Sequence, residues 1–212
     1  MSNSATPVPY ETGKSLQLQV LRNCSNLSFS QSVTAVISKT FDITMSPVMD
    51  VTINTESGSN IRAILKLYDR RFGRYLRDIS YEYIPHTAAN EAMFQSFVRR
   101  GEMDPFLLEL EKKNEAGHIS PGGWELHDGY LESTAEYEAA MWQYCNEFFD
   151  CETKEYARLS DLHGKSIPRM YAHVCLMQQS PDVPPDLLQP QTARYFEVKG
   201  ILLEFIPGYT AI

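Results

Sequence analysis

The chain has 212 residues, of which 43% are hydrophobic and 22% charged, and its formal net charge is −8. These values are ordinary for a globular protein and allow one sizeable core, alone or with a large insertion. The negative charge argues against nonspecific binding to nucleic acid or to an anionic membrane surface. No apolar run approaches the roughly 18 residues that a membrane-spanning helix needs.

The cysteines and the N-terminal sequence indicate the compartment. The four cysteines are far apart and form no Cys-x-x-Cys pair, and the first residues lack the basic start and apolar stretch of a signal peptide. We therefore expect reduced thiols and a cytoplasmic protein, with the nucleus as the alternative.

Most of the chain divides into strands and helices by its hydrophobic pattern. Residues 1–14 are polar, contain proline and predict a disordered tail. Alternation and β-branched residues predict several strands, and a three-to-four-residue apolar repeat predicts one long helix from residue 134 to about 162. The predicted strands cover residues 16–21, 33–37, 48–53, 61–68, 169–176 and 195–206. Residues 75–133 predict an insertion with short helices at 90–99 and 105–113.

Lys66 and Glu155 interrupt otherwise apolar patterns. Lys66 lies inside the apolar strand at 61–68, and Glu155 continues the apolar stripe of the long helix. Because a buried single charge is costly, the simplest prediction is that the two residues form an ion pair. Two alternatives remain: each side chain reaches solvent, or Lys66 pairs with Glu152 instead.

The order of these elements resembles the N-terminal lobe of protein-kinase-like proteins. Ala63-Ile64-Leu65-Lys66 is similar to the Val-Ala-Ile-Lys strand of that family, and residues 200–208 are similar to the segment that enters its hinge. Residues 65–72 and 152–159 look particularly like divergent kinase-like proteins of filamentous fungi. The resemblance covers about residues 16–208.

The resemblance implies an α+β fold: a kinase-like N-lobe with about five mostly antiparallel strands packed on one long helix, and a helical insertion. The C-lobe would be absent, since the chain ends just after the hinge. By resemblance, Lys66 contacts ATP phosphates and pairs with Glu155. Leu203 is the gatekeeper, and the backbones of Glu204 and Ile206 face adenine.

Important parts of a kinase are missing from the sequence. Residues 16–53 contain no Gly-x-Gly-x-x-Gly, and no catalytic-loop or Asp-Phe-Gly string occurs. ATP binding is therefore expected to be weak at best, without a metal held by this chain. The resemblance thus implies a truncated or degenerate form that transfers no phosphate on its own.

The alternative function is a non-catalytic protein–protein interaction module. Loss of a second lobe would uncover an apolar cleft face around Phe205 and Ile206, which predicts a protein partner or self-association. A third interpretation is an unrelated binding protein that uses the same sheet. The basic run from Arg70 to Arg77 predicts a solvated turn, and no histidine has zinc-like spacing with a cysteine.

Overall fold

The computed structural model describes residues 4–42, 45–79, 82–115, 133–177 and 183–207. The chain forms two compact units. The helical unit comprises Met1–Pro7, Asp69–Glu147 and Gln178–Phe196. The barrel unit comprises Val8–Tyr68, Phe148–Met177 and Glu197–Ile212.

Six antiparallel strands close into a barrel in the order β1-β2-β3-β4-β8-β7. Their bounds are Ser15–Asn23 (β1), Ser32–Thr40 (β2), Val48–Asn54 (β3), Asn60–Leu67 (β4), Met170–Met177 (β7) and Glu197–Glu204 (β8). Alternate apolar residues of each strand point inward, as Val33, Ala35 and Ile37 do on β2. Alternation predicts this arrangement because successive strand side chains face opposite sides.

The predicted kinase-like N-lobe fold is wrong. Strand β7 pairs with β8 on one side and with β1 on the other, so the sheet has six strands and no open edge. Irregular register near Val20, Ile37 and Met170 accompanies this closure, and such bulges increase the local bend and twist of strands. The closed barrel also conflicts with describing the chain as a pseudokinase, and nothing supports ATP binding or a fungal origin.

The helical unit contains α1 (Ala88–Arg99), α2 (Met103–Glu115) and the first part of α3 (Thr134–Arg158), together with the two-residue strands β5 (Asp78–Ile79) and β6 (Glu82–Tyr83). Thr87 caps α1 by accepting a hydrogen bond from the Asn90 amide at 3.2 Å. The core of this unit joins residues of all three helices to the segment 183–196. Phe94 and Phe196, for example, pack edge to face at a centroid distance of 5.7 Å.

The predicted elements are confirmed where the structure describes them, with shifted ends. The long helix ends at Arg158 instead of about residue 162, and a short 3₁₀ turn, Ser160–Leu162, follows it. Within the predicted tail, Ala5 bridges to Thr87 and Tyr10 is buried. Residues 1–3, the insertion segment 116–132 and the chain end at 208–212 lie outside the described residues. Among the described helices, none combines the length and apolarity that crossing a membrane requires.

Candidate functional site

Lys66 pairs with Glu152 in the barrel unit. One carboxylate oxygen of Glu152, Oε2, accepts hydrogen bonds from Lys66 Nζ at 2.5 Å and from the Tyr68 hydroxyl at 2.6 Å. The Lys66 and Glu152 side chains are 25% and 28% exposed, so the pair is half-buried. We call these three residues the Lys66 cluster.

The cluster lies where the end of α3 packs on the outer surface of β4, β8 and β7. Lys66 lies opposite Ile201 on β8, and the amide of Tyr68 donates to the Lys199 carbonyl at 2.8 Å. Phe149, one turn before Glu152 on α3, packs edge to face on Tyr68 at 5.7 Å. Since Phe149 is buried and Glu152 follows it by three residues, one helical face supplies both the apolar and the charged contact.

The predicted pair between Lys66 and Glu155 is wrong, and the alternative with Glu152 is confirmed. Glu155 is half exposed and pairs with Arg158 at 3.0 Å. The long helix carries two overlapping apolar stripes, offset by one residue or about 100°. The stripe predicted from the sequence leads to Glu155, whereas the buried stripe follows Met141, Cys145 and Phe149 to Glu152.

The remaining predicted site residues lie on or beyond β8. Leu203 is half-buried and paired with Ile64, which places it inside the sheet. The Glu204 amide donates to the Arg169 carbonyl at 2.8 Å, and its carboxylate pairs with Arg169. Ile206 is 40% exposed beyond the strand. A role in holding adenine stays a prediction for these residues, although the Glu204 amide already has a backbone acceptor.

The Lys66 cluster links helix α3 to the end of strand β4. The carboxylate accepts hydrogen bonds from two donors, and its charge balances that of the ammonium. An anion at Lys66 would have to compete with Glu152 for the ammonium. Phe205, close to the predicted hinge, lies beneath the Arg62 guanidinium at 3.6 Å from its ring centroid.

We expect the cluster to contribute modestly to stability. Lys66→Met or Glu152→Gln should lower the free energy of unfolding by about 1 kcal/mol, because the pair is half-buried and retains contact with solvent. Glu155→Gln, on the same helix, should change it by less than about 0.5 kcal/mol. Urea denaturation followed by circular dichroism measures all three. Equal losses for Glu152 and Glu155 would contradict the assignment of the pair.

A second cluster of charges, in the helical unit, was missed by the sequence analysis. Glu138 on α3 is fully buried, and its Oε2 accepts hydrogen bonds from Arg70 Nη1 and Arg77 Nη2, each at 2.6 Å. Arg77 is also fully buried and donates through Nε to the Arg70 carbonyl at 2.9 Å. We call Arg70, Arg77, Glu138 and Glu91 the buried ionic network, in which two cations balance two carboxylates.

His86 extends this network through its contact with Glu91. Arg70 donates to Glu91, and His86 Nε2 lies 3.0 Å from the same carboxylate. Burial alone would raise the pKa of Glu91, but the Arg70 charge and the hydrogen bond with His86 bring it well below the ordinary value. The pKa of Glu138 is lowered as well, because Arg77 and Arg70 outweigh the effect of burial. Burial lowers the pKa of His86, despite the hydrogen bond with Glu91.

The prediction of a solvated basic turn is therefore wrong for Arg70 and Arg77. Both follow the apolar strand β4 within ten residues, yet their carboxylate partners are on helices much later in the chain. The signal in the sequence is Glu138 itself, which lies fourteen residues before Glu152 and hence on the same face of α3. Removing one member of such a buried pair is costly because the remaining charge is left uncompensated, so the network constrains how these segments pack.

Within the described ranges, no group of three histidine, cysteine or acidic side chains could hold a metal ion. All four cysteines are free, and burial raises the pKa of Cys175 to about 12. Comparison with protein-family models, curated proteins and solved structures finds no match in any of the three. The geometry of the barrel and helical units is therefore the basis for any functional assignment.

Proposed function

We propose that this chain is a non-catalytic protein-interaction module that associates with a second copy of itself through one face of the barrel. The observation that carries the proposal is a stretch without charge on the outer surface of β1 and β2, bounded by the exposed Arg22 at one end and the exposed Lys39 at the other. Its outward-pointing, exposed side chains are Ser15, Gln17, Gln19 and Leu21 on β1, and Ser32, Thr34, Val36 and Ser38 on β2. We call these eight residues the uncharged face.

The composition of this region is unusual for the chain. Between residues 15 and 38, Arg22 is the only charged side chain, although 22% of the whole sequence is charged. Depletion of charge is typical of the central part of protein–protein interfaces. Leu21 and Val36, which are 52% and 41% exposed, supply apolar groups in the same face.

Charge explains why a second copy is the occupant we favour. Two chains of net charge −8 repel each other over most of their surfaces. They can approach without like-charge contacts where both present uncharged side chains, as an isologous contact between these faces allows. Gln17 and Thr34 already exchange two side-chain hydrogen bonds, at 2.9 and 3.1 Å, and glutamine retains further donors and acceptors for a partner.

The area of the face predicts weak association. The face spans seven positions on each strand, so at about 3.3 Å per residue and about 4.8 Å of width per strand it covers roughly 220 Å². A standard interface buries about 800 Å² on each partner. We therefore expect weak, reversible association.

Sedimentation equilibrium over a concentration series tests the proposal. The wild type should gain mass with concentration, and more so in higher salt, because screening weakens the general repulsion. Val36→Lys should abolish this gain, because it places a charge within the uncharged face, and burying that charge in the contact is costly. Leu108→Lys, at a 55% exposed position on α2, makes the same change in charge and should associate more readily than Val36→Lys does. A monomer at every concentration, or equal effects of the two variants, would refute the proposal.

ATP provides a separate comparison. Binding of ATP at Lys66 remains a prediction of the sequence resemblance, and self-association does not require it. We expect ATP to leave the Tm unchanged relative to the same ionic strength of sodium chloride. A rise in Tm that disappears in Lys66→Met would favour a nucleotide-binding function over the interaction module.

A further inference from the structure

Residues 4–7 belong to the helical unit and contact it at His86. The Thr6 amide donates to the His86 carbonyl at 2.7 Å, and the Thr6 hydroxyl lies 2.9 Å from His86 Nδ1. Ala5 forms an antiparallel bridge with Thr87, the residue that caps α1. We call residues 4–7 the N-terminal strap, which is thus held at the histidine that precedes α1.

The two ring nitrogens of His86 have different partners, which fixes the position of the proton in the neutral ring. Nε2 lies 3.0 Å from the Glu91 carboxylate, which is ionised because its pKa is well below the ordinary value. An ionised carboxylate only accepts hydrogen bonds, so Nε2 carries the proton and Nδ1 accepts from the Thr6 hydroxyl. The strap therefore contacts the nitrogen that gains a proton when His86 becomes charged.

Protonation of His86 is unfavourable while the strap is in place. The side chain is 3% exposed, and burial lowers its pKa. Four charged groups surround the ring: Glu91 on α1, Glu138 on α3, and Arg70 and Arg77 in the segment after β4. The two carboxylates already balance the two arginines, so a proton on His86 adds a third buried cation.

We propose that the N-terminal strap and His86 form a pH-sensitive latch, in which a proton on His86 favours release of the strap. Release opens the Nδ1 edge of the ring to water, and hydration of the charged ring then offsets the cost that burial imposes. The strap is most firmly closed above the ordinary histidine pKa of 6.5, and closure weakens as the pH falls from there toward the lower pKa of the closed form. The latch does not rest on self-association, because the strap and the uncharged face share no residue.

Amide hydrogen exchange of Thr6 tests the latch. The rate is measured by nuclear magnetic resonance from about pH 8 to about pH 5, where histidines titrate, and is divided by the intrinsic rate at each pH. This corrected rate should rise as the pH falls, by up to about tenfold for each unit by which closure lowers the pKa of His86. His86→Gln keeps a polar side chain that does not titrate, so its corrected rate should not change with pH. His173→Gln, which removes a histidine from the barrel unit, should retain the rise.

A second pair of variants measures the same coupling at the histidine. Thr6→Pro removes both the amide and the hydroxyl that hold the strap, so the pKa of His86, followed by its ring carbon signals, should rise toward 6.5. Val8→Pro introduces proline at an exposed position just after the strap and should leave that pKa unchanged. A corrected Thr6 rate that is independent of pH in the wild type, or an unchanged pKa of His86 in Thr6→Pro, would overturn the proposal.

Discussion

Replacing Glu138 with alanine is expected to lower the free energy of unfolding by about 3–5 kcal/mol. The carboxylate is fully buried and accepts from both Arg70 and Arg77, so its removal leaves two buried cations with one carboxylate fewer. Urea denaturation followed by tryptophan fluorescence measures the loss, because Trp142 packs against Tyr195 in the same unit at 5.2 Å between ring centroids.

Two control variants separate charge from volume. Glu138→Gln keeps the shape of the side chain and removes its charge, so a large loss here identifies the ionic contribution. Glu155→Ala is the same substitution on the same helix, but at a half-exposed position. It should lower the free energy of unfolding by less than about 0.5 kcal/mol. A loss below about 1 kcal/mol in Glu138→Ala would mean that water reaches the buried ionic network.

Acid provides a second measurement of the same network. The pKa values of Glu138 and Glu91 are lower in the folded protein than their ordinary value of 4.5. Their contribution to stability is therefore fully present above about pH 4.5 and is lost as the pH falls through the folded pKa values. Glu138→Gln should show a shallower loss of stability in acid than the wild type does.

Gly200→Ala is expected to lower the free energy of unfolding by about 2–3 kcal/mol. A β-carbon at this position on β8 would lie 2.7 Å from the Lys66 carbonyl oxygen and 2.7 Å from Leu67 Cδ2. The leucine can move, but the carbonyl belongs to the paired strand β4 and cannot shift without disturbing the ladder. Urea denaturation followed by circular dichroism measures the loss.

Gly58→Ala is the matched control for this prediction. Its β-carbon would meet no atom within 4 Å, but its φ of +78° is unfavourable for alanine. This variant should therefore lose about 1 kcal/mol through backbone strain alone. A Gly200→Ala protein as stable as Gly58→Ala, or more stable, would show that the barrel accommodates the methyl group.

Which segments form strands and which form helices was predictable, because the sequence patterns of strands and helices extend over only a few neighbouring residues. Strand-like runs predicted all six barrel strands, and periodicity predicted the long helix from residue 134, which ends at Arg158 instead of about residue 162. The short helices predicted at 90–99 and 105–113 each begin two residues earlier in the structure. Lys66 was also recognised as a residue that needs a partner, since an isolated charge in an apolar strand is costly wherever the strand lies. The sequence offered two candidates for its carboxylate partner, Glu155 and Glu152.

Closure of the barrel, the rotation of α3 and the burial of the arginines depended on tertiary structure. Alternation does not specify which strands pair, so the contact of β7 with β1 had no signal in the sequence. Both stripes on α3 are apolar, and only packing against the sheet buries Phe149 and selects Glu152 over Glu155. Arg77 is buried because Glu138, 61 residues away, compensates its charge. Local patterns thus determined the elements, whereas contacts between distant residues decided the fold and the charge pairs.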